Sequence, residues 1–244
     1  LLISAEDVNT LTDSGNVARA RMFQALAVPA VASAAPLFVG NLPVSMEDGT
    51  SVSLLTFGFD TMQPGFASRP ISKRLEDLEI ENTALLDFNT RGVPAPVIES
   101  LANGNPFVFE ANGQTISAIG TVEVGGGFLA DGTLVVSDQT FLRLFERRSS
   151  GAPSHILVNV NDATSVRTVV ERLRAALPTE SVKVQAINDA AQADLAFMST
   201  ERPTGIIFGF GVLIGIIVGI VIVYQVLSTD VADHLSEYAT FKAM

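Results

Sequence analysis

HILVNVNDATSVRTVVERLRAALPTESVKVQAI, residues 155–187, carries a strand, a helix and a second strand in one unbroken pattern. Residues 155–160 alternate in the manner of a strand. Asp162 or Thr164 offers a helix cap. Val166, Val169, Val170, Leu173 and Leu177 then recur at the spacing that lays apolar groups along one side of a helix. Pro178 ends the helix, and residues 182–187 resume the strand pattern. A β-α-β unit is the economical reading of this stretch.

A matching unit lies at the other end of the large domain. Residues 1–8 read as a strand, Asp13-Ser14-Gly15 as a cap cluster, and residues 17–26 as a helix. Val17, Met22, Phe23 and Leu26 supply its apolar stripe. Pro29 stops the helix. Residues 31–44 read as extended, Glu47-Asp48-Gly49 as a turn, and residues 51–59 as a strand returning in a hairpin. Between the two units the texture changes. Turn signals recur at residues 89–92, 103–104, 112–113, 125–127 and 131–132. Short β-rich runs separate them, at residues 84–88, 107–110, 115–124 and 133–136. Ser137 or Asp138 caps a short helix over residues 139–146. The expected fold is α+β: a split β-α-β domain whose two halves, residues 1–60 and 153–203, flank a β-rich insert at residues 61–152.

Beyond that domain, Asp189 opens a helix over residues 190–198, and Pro203 begins or immediately precedes a different kind of segment. Residues 205–229 contain no charged side chain. Residues 206–227 make a helix of roughly 33 Å, enough for a bilayer core of about 30 Å. One transmembrane helix is therefore expected at residues 204–228. Gly211, Gly215 and Gly219 repeat every fourth residue, the spacing that lets another membrane helix approach closely. Ser228 or Thr229 can cap a new helix over residues 229–244, with Asp230 and Asp233 near its positive end. Val231, Leu235 and Tyr238 share one side of it, with Phe241 nearby; Asp233, Glu237 and Lys242 lie elsewhere. One lysine against three carboxylates suits a protein partner better than a lipid surface.

The chain has a net charge of −11, a pI near 4.5 and a mean hydropathy of +0.38. Residues after Pro203 hold only Asp230, Asp233, Glu237 and Lys242, so the acidity belongs to the large domain. Such a surface excludes nucleic acid, which is gripped through Lys and Arg. The absence of cysteine excludes disulfides and thiolate metal sites. No phosphate loop of the Gly-x-x-x-x-Gly-Lys-Ser/Thr type occurs, and Gly125-Gly126-Gly127 reads as a turn. His155 and His234 fall on opposite sides of the expected span, which rules out a shared metal site or relay. Glu79 and Glu81 read as a solvated face. No catalytic, cofactor or metal residues are assigned, and the constellation an anchored hydrolase needs is not found. The chain starts at Leu1 and stops at Met244, so it reads as a piece of a longer protein.

The closing run VYQVLSTDVADHLSEYATFKAM, residues 223–244, resembles the DevC-type permeases of cyanobacterial ABC exporters, within the FtsX/MacB superfamily. The resemblance is sharpest there, in Tyr-Gln, Thr-Asp-Val, Asp-His-Leu, Glu-Tyr-Ala-Thr and Lys-Ala-Met, and the preceding organisation agrees with it along the chain. It implies an inner-membrane permease with four membrane helices, of which the first, third and fourth are missing from this sequence. The large domain would be periplasmic: a porter-like part at residues 1–60 and 153–203 and an insert at 61–152. Residues 229–244 would be a cytoplasmic coupling helix contacting a separate ATPase through Val231, Asp233, His234, Leu235, Glu237, Tyr238, Phe241 and Lys242. ATP and Mg would be bound by that ATPase, with no cofactor in this chain. A permease homodimer, a periplasmic membrane-fusion adaptor, an outer-membrane channel of the TolC type and membrane lipid complete the implied partners, and the implied cargo is lipid-like. The rival expectation is an FtsX-like regulator, which relays ATPase state to a periplasmic enzyme through the same architecture.

Overall fold

The computed structural model describes residues 1–46, 49–124, 130–161, 165–200 and 203–233. They divide into two compact units, Leu1–Ala191 and Gln192–Met244. The first unit is built on nine strands in a single sheet, ordered β5-β6-β4-β7-β3-β2-β8-β1-β9.

The two strand–helix–strand units, separated in sequence by the insert, interlock at one end of that sheet. One comprises β1 (Leu2–Ala5), α1 (Ala20–Leu26) and β2 (Val31–Ser45). The other comprises β8 (His155–Val160), α5 (Val166–Ala176) and β9 (Val182–Gln185). β8 lies antiparallel between β2 and β1, and β1 lies antiparallel between β8 and β9. Each unit is thus split by a strand of the other, the arrangement of a ferredoxin-like fold. The pleat explains how the halves stay together. Ile3, Ile156, Val158 and Val184 point to one face, where Val169, Val170 and Leu173 of α5 and Met22 and Ala25 of α1 cover them. Leu2 and Leu157, one residue out of phase, point to the other face with Ala190.

The middle of the chain extends the same sheet. β3 (Ser51–Phe59) returns along β2 from Ser45↔Ser51 to Leu37↔Phe59. Gly49, at φ +83°, supplies the left-handed residue that this turn needs. β7 (Gly132–Ser137) runs parallel to β3, followed outward by β4 (Thr83–Asp87), β6 (Gln114–Val122) and the edge strand β5 (Phe107–Ala111). Alternation again sorts the cores: Leu134 and Val136 join one cluster, and Val135 joins the opposite one with Leu75, Leu78 and Leu85. Three helices accompany these strands: α2 (Arg69–Ser72), α3 (Ala95–Ala102) and α4 (Asp138–Leu144). The Ser137 hydroxyl accepts the Thr140 N–H at 3.2 Å, so Ser137 is the cap of α4. The sequence pattern does not announce α3, which begins after Pro94 and buries only Ile98 and Leu101.

Two expectations about the first helix change. It starts at Ala20; the residues just before it are tied to a neighbouring segment, the Val17 and Arg19 N–H groups donating to the Pro153 and Gly151 carbonyls. Phe23 and Leu26, expected in its buried stripe, face outward; Met22 and Ala25 face the sheet.

In the second unit α7 spans Pro203–Asp233 and opens on Pro203, where the missing N–H costs nothing. α6 (Ile187–Thr200) precedes it. The expected helix restart at Ser228 or Thr229 does not occur: α7 runs through both. The Thr229 hydroxyl donates back to the Gln225 carbonyl at 2.9 Å, so it bonds within the helix and caps nothing.

Candidate functional site

α7 is apolar all round. Residues Ile207–Ala232 form a 26-residue candidate span whose most apolar 18 residues have a mean hydropathy of 2.8, none of them buried. A helix without a polar side belongs either in a protein core or in lipid, and no described residue covers this one. Its length, about 39 Å, exceeds a bilayer core of about 30 Å. Gly211, Gly215 and Gly219 fall along one side of it, and a Cβ placed on any of the three would meet nothing within 4 Å. This side is a smooth, unoccupied track flanked by branched side chains such as Ile214 and Val218.

Of the residues expected to meet an ATPase, Val231 and Asp233 fall within α7. Val231 is half-exposed and extends a stripe with Tyr224 and Leu227, while Asp233 is the last residue of the helix. His234, Leu235, Glu237, Tyr238, Phe241 and Lys242 lie outside the described residues.

In the first unit the polar chemistry is concentrated in a buried node that residue patterns alone do not reveal. The His155 side chain is fully enclosed at the start of β8. Its Nε2 sits 3.0 Å from the Leu11 carbonyl, which can only accept, so Nε2 carries the proton. Nδ1 then accepts the Ser4 hydroxyl proton at 2.9 Å. Burial pushes His155 down to about 4, against weaker upward pulls from hydrogen bonding and from Asp13. The neighbouring Ser154 hydroxyl accepts the Val39 N–H at 2.9 Å and an Arg148 guanidinium N–H at 2.8 Å. Arg148 also donates to the Gly15 carbonyl at 2.7 Å. A serine beside a histidine invites comparison with a nucleophile and its base. Here Ser4 is 3% exposed and both ring nitrogens are occupied by partners in the fold. The node therefore ties the segment between β1 and α1 to the sheet and presents no reacting atom to a substrate.

A second polar locus pairs Asp60 and Asp138 at adjoining ends of the parallel strands β3 and β7. Burial, and then the Asp60 charge, raises Asp138. The Asp60 carboxylate is occupied by the Met62 N–H and by Gln63 Nε2, each at 3.0 Å. Among the described residues no three His, Cys, Asp or Glu side chains gather as a metal site requires.

No family model matches the sequence, and no curated protein matches it. Solved structures do share the fold. The extracellular domain of the noncanonic ABC-type transporter YknZ from Gram-positive bacteria is similar over 76% of this chain and 99% of its own. The identity is 11% and the TM-score 0.50. The periplasmic region of MacB from Actinobacillus actinomycetemcomitans aligns over 78% of this chain and 90% of its own, at 13% identity and a TM-score of 0.48.

Proposed function

We propose that this chain is the membrane subunit of an ABC exporter of the FtsX/MacB type, close to the DevC-type permeases. One observation carries the reading: a split β-α-β fold like the YknZ extracellular domain occurs in the same chain as a lipid-length apolar helix. In this reading residues 1–60 and 153–203 are the porter-like part and residues 61–152 the insert, all in the periplasm. α7 is a membrane helix packed through Gly211, Gly215 and Gly219 against another helix. Residues 229–244 lie in the cytoplasm and couple to a separate ATPase that binds ATP and Mg. Val231, Leu235 and Tyr238, with Phe241 and His234, fill a groove on the ATPase; Asp233, Glu237 and Lys242 fix the register. The work of the chain is mechanical: closure of the ATPase dimer tilts the coupling segment, the membrane helix carries the tilt, and the periplasmic domain gates a lipid-like cargo toward an adaptor and a TolC-type channel. The permease works as a homodimer and performs no catalysis itself.

The test is affinity purification of the permease in mild detergent, with and without Leu235→Asp and Tyr238→Asp. The expected result is co-purification of an ATPase and a periplasmic adaptor, with the ATPase lost from both variants. An ATPase without an adaptor would make the chain an FtsX-like regulator. Neither partner would overturn the permease reading.

A further inference from the structure

The tripeptide Ala-Asn-Gly occurs twice, at residues 102–104 and 111–113. Both copies end in exposed turns of the insert. Asparagine before glycine is a pairing in which the chain can attack its own side chain, because glycine has no Cβ to shield its amide nitrogen. The local sequence is the same, so any difference between the two sites comes from the fold.

Asn112 is held twice. Its Nδ2 donates to the Leu144 carbonyl at 2.9 Å. At φ +48°, with Gly113 at φ +75°, it also forms the two-residue turn that closes the β5–β6 hairpin at Ala111↔Gln114. Swinging its side chain onto Gly113 breaks the first restraint and distorts the second. Asn103 is the C-cap of α3. Its side-chain amide has no hydrogen-bond partner among the described residues, and Gly104, at φ +91°, stands in open space. The restraint on this pair is the last turn of α3. The Gly104 N–H donates to the Leu101 carbonyl at 3.0 Å, and the Asn105 N–H to the Ser100 carbonyl at 3.1 Å. These are terminal bonds of an eight-residue helix anchored by Ile98 and Leu101, and helix ends open by fraying without unfolding the domain.

We infer that Asn103 is a modification site, deamidating spontaneously in the folded chain well ahead of Asn112. The Gly104 amide nitrogen gives up its proton to water and attacks the Asn103 Cγ. The N–Cγ bond forms, the Cγ–Nδ2 bond breaks, and Nδ2 takes up a proton and leaves as ammonia. The remaining succinimide is opened by water at one of its two C–N bonds. Cleavage beside Cγ gives aspartate; cleavage beside the backbone carbonyl gives isoaspartate. Water is consumed, ammonia is released, and nothing is oxidised. Either product puts a carboxylate at the C-terminal end of α3, where the helix dipole disfavours negative charge. Isoaspartate also inserts a methylene into the main chain just before the edge strand β5. The inference does not depend on the exporter reading.

The full chain, held in phosphatidylcholine nanodiscs, is aged in mildly alkaline buffer made with heavy-oxygen water. Peptide mapping by mass spectrometry then follows the label at each asparagine. Uptake at Asn103 is expected to be about tenfold faster than at Asn112, the factor that one additional hydrogen bond confers. In urea, where neither turn persists, the two sites take up label at equal rates. Asn103→Gln, whose longer side chain cyclises far more slowly, removes the label from its peptide and leaves Asn112 unchanged. Circular dichroism melts before and after ageing check that the chain stays folded. Equal uptake at the two sites of the folded chain, faster uptake at Asn112, or no uptake at Asn103 overturns the inference.

Discussion

At the scale of single residues, His155 makes stability depend on pH. Its neutral ring donates to Leu11 and accepts from Ser4 in a space that water does not reach. An unfolded histidine titrates near 6.5, whereas burial holds this one at about 4. The unfolded chain therefore binds the proton first as pH falls. The stability that His155 contributes is complete above about pH 6.5 and declines as pH drops toward 4. Over that interval the loss is on the order of 2–3 kcal/mol. Urea unfolding of the full chain at pH 7 and pH 4.5 measures it. Carboxylates add a slope of their own, so the diagnostic quantity is the difference between the parent and His155→Gln, in which this portion of the slope disappears. Equal slopes in the two proteins would show that the ring is already solvated in the folded state.

At the scale of elements, β3 and α4 meet closely enough to forbid a side chain. Gly58 faces Phe141, and a Cβ at position 58 would stand 2.6 Å from the Phe141 Cβ. That atom is fixed by the backbone of α4, so no rotamer change relieves the contact. Phe141 in turn stacks on Phe145 with ring centroids 4.3 Å apart and leans on Phe38 at 5.5 Å. Gly58→Ala is expected to lower stability by about 1–3 kcal/mol, the cost of overpacking a dense core. A thermal melt of the variant checks this; an unchanged midpoint would mean that α4 can slide away from the sheet. The same packing shows what the sequence could disclose. Strands β2, β3, β8 and β9 and helix α5 are legible because local alternation and periodicity agree with the core they meet. Phe23 and Leu26 mislead because periodicity finds an apolar side without saying whether anything covers it. α3 is illegible because eight residues with two buried anchors leave too short a pattern. The Ser4–His155 and Ser154–Arg148 contacts join positions more than a hundred residues apart or bridge a turn, and the order of β2, β8 and β1 that creates them is written in no local motif. In the terminal segment, spacing and cap residues suggest a new helix at Ser228 or Thr229, yet a threonine hydroxyl bonded to its own helix allows α7 to pass through.

At the scale of the whole molecule, the question is which side of a bilayer each unit occupies, and charge cannot answer it. Arg202 and Lys242 are the basic residues flanking the apolar helix, one on each side, so the positive-inside rule gives no preference. The candidate span of α7, Ile207–Ala232 at about 39 Å, is longer than an average hydrocarbon core, which permits tilt or emergence of a turn without naming the emerging end. The chain itself supplies a direct test, because it contains no cysteine. A thiol introduced at Thr179, exposed between α5 and β9, reports on the first unit. A thiol introduced at Ala239, beyond the described part of α7, reports on the other end. Under the proposed orientation, a membrane-impermeant maleimide added to cells with a permeabilised outer membrane labels Thr179→Cys. Ala239→Cys reacts only after the inner membrane is broken. The opposite pattern would invert the molecule and place the first unit on the ATPase side. Labelling of both thiols before lysis would mean that α7 does not cross, and its glycine track would then have to be covered by protein instead of by a neighbouring helix in lipid.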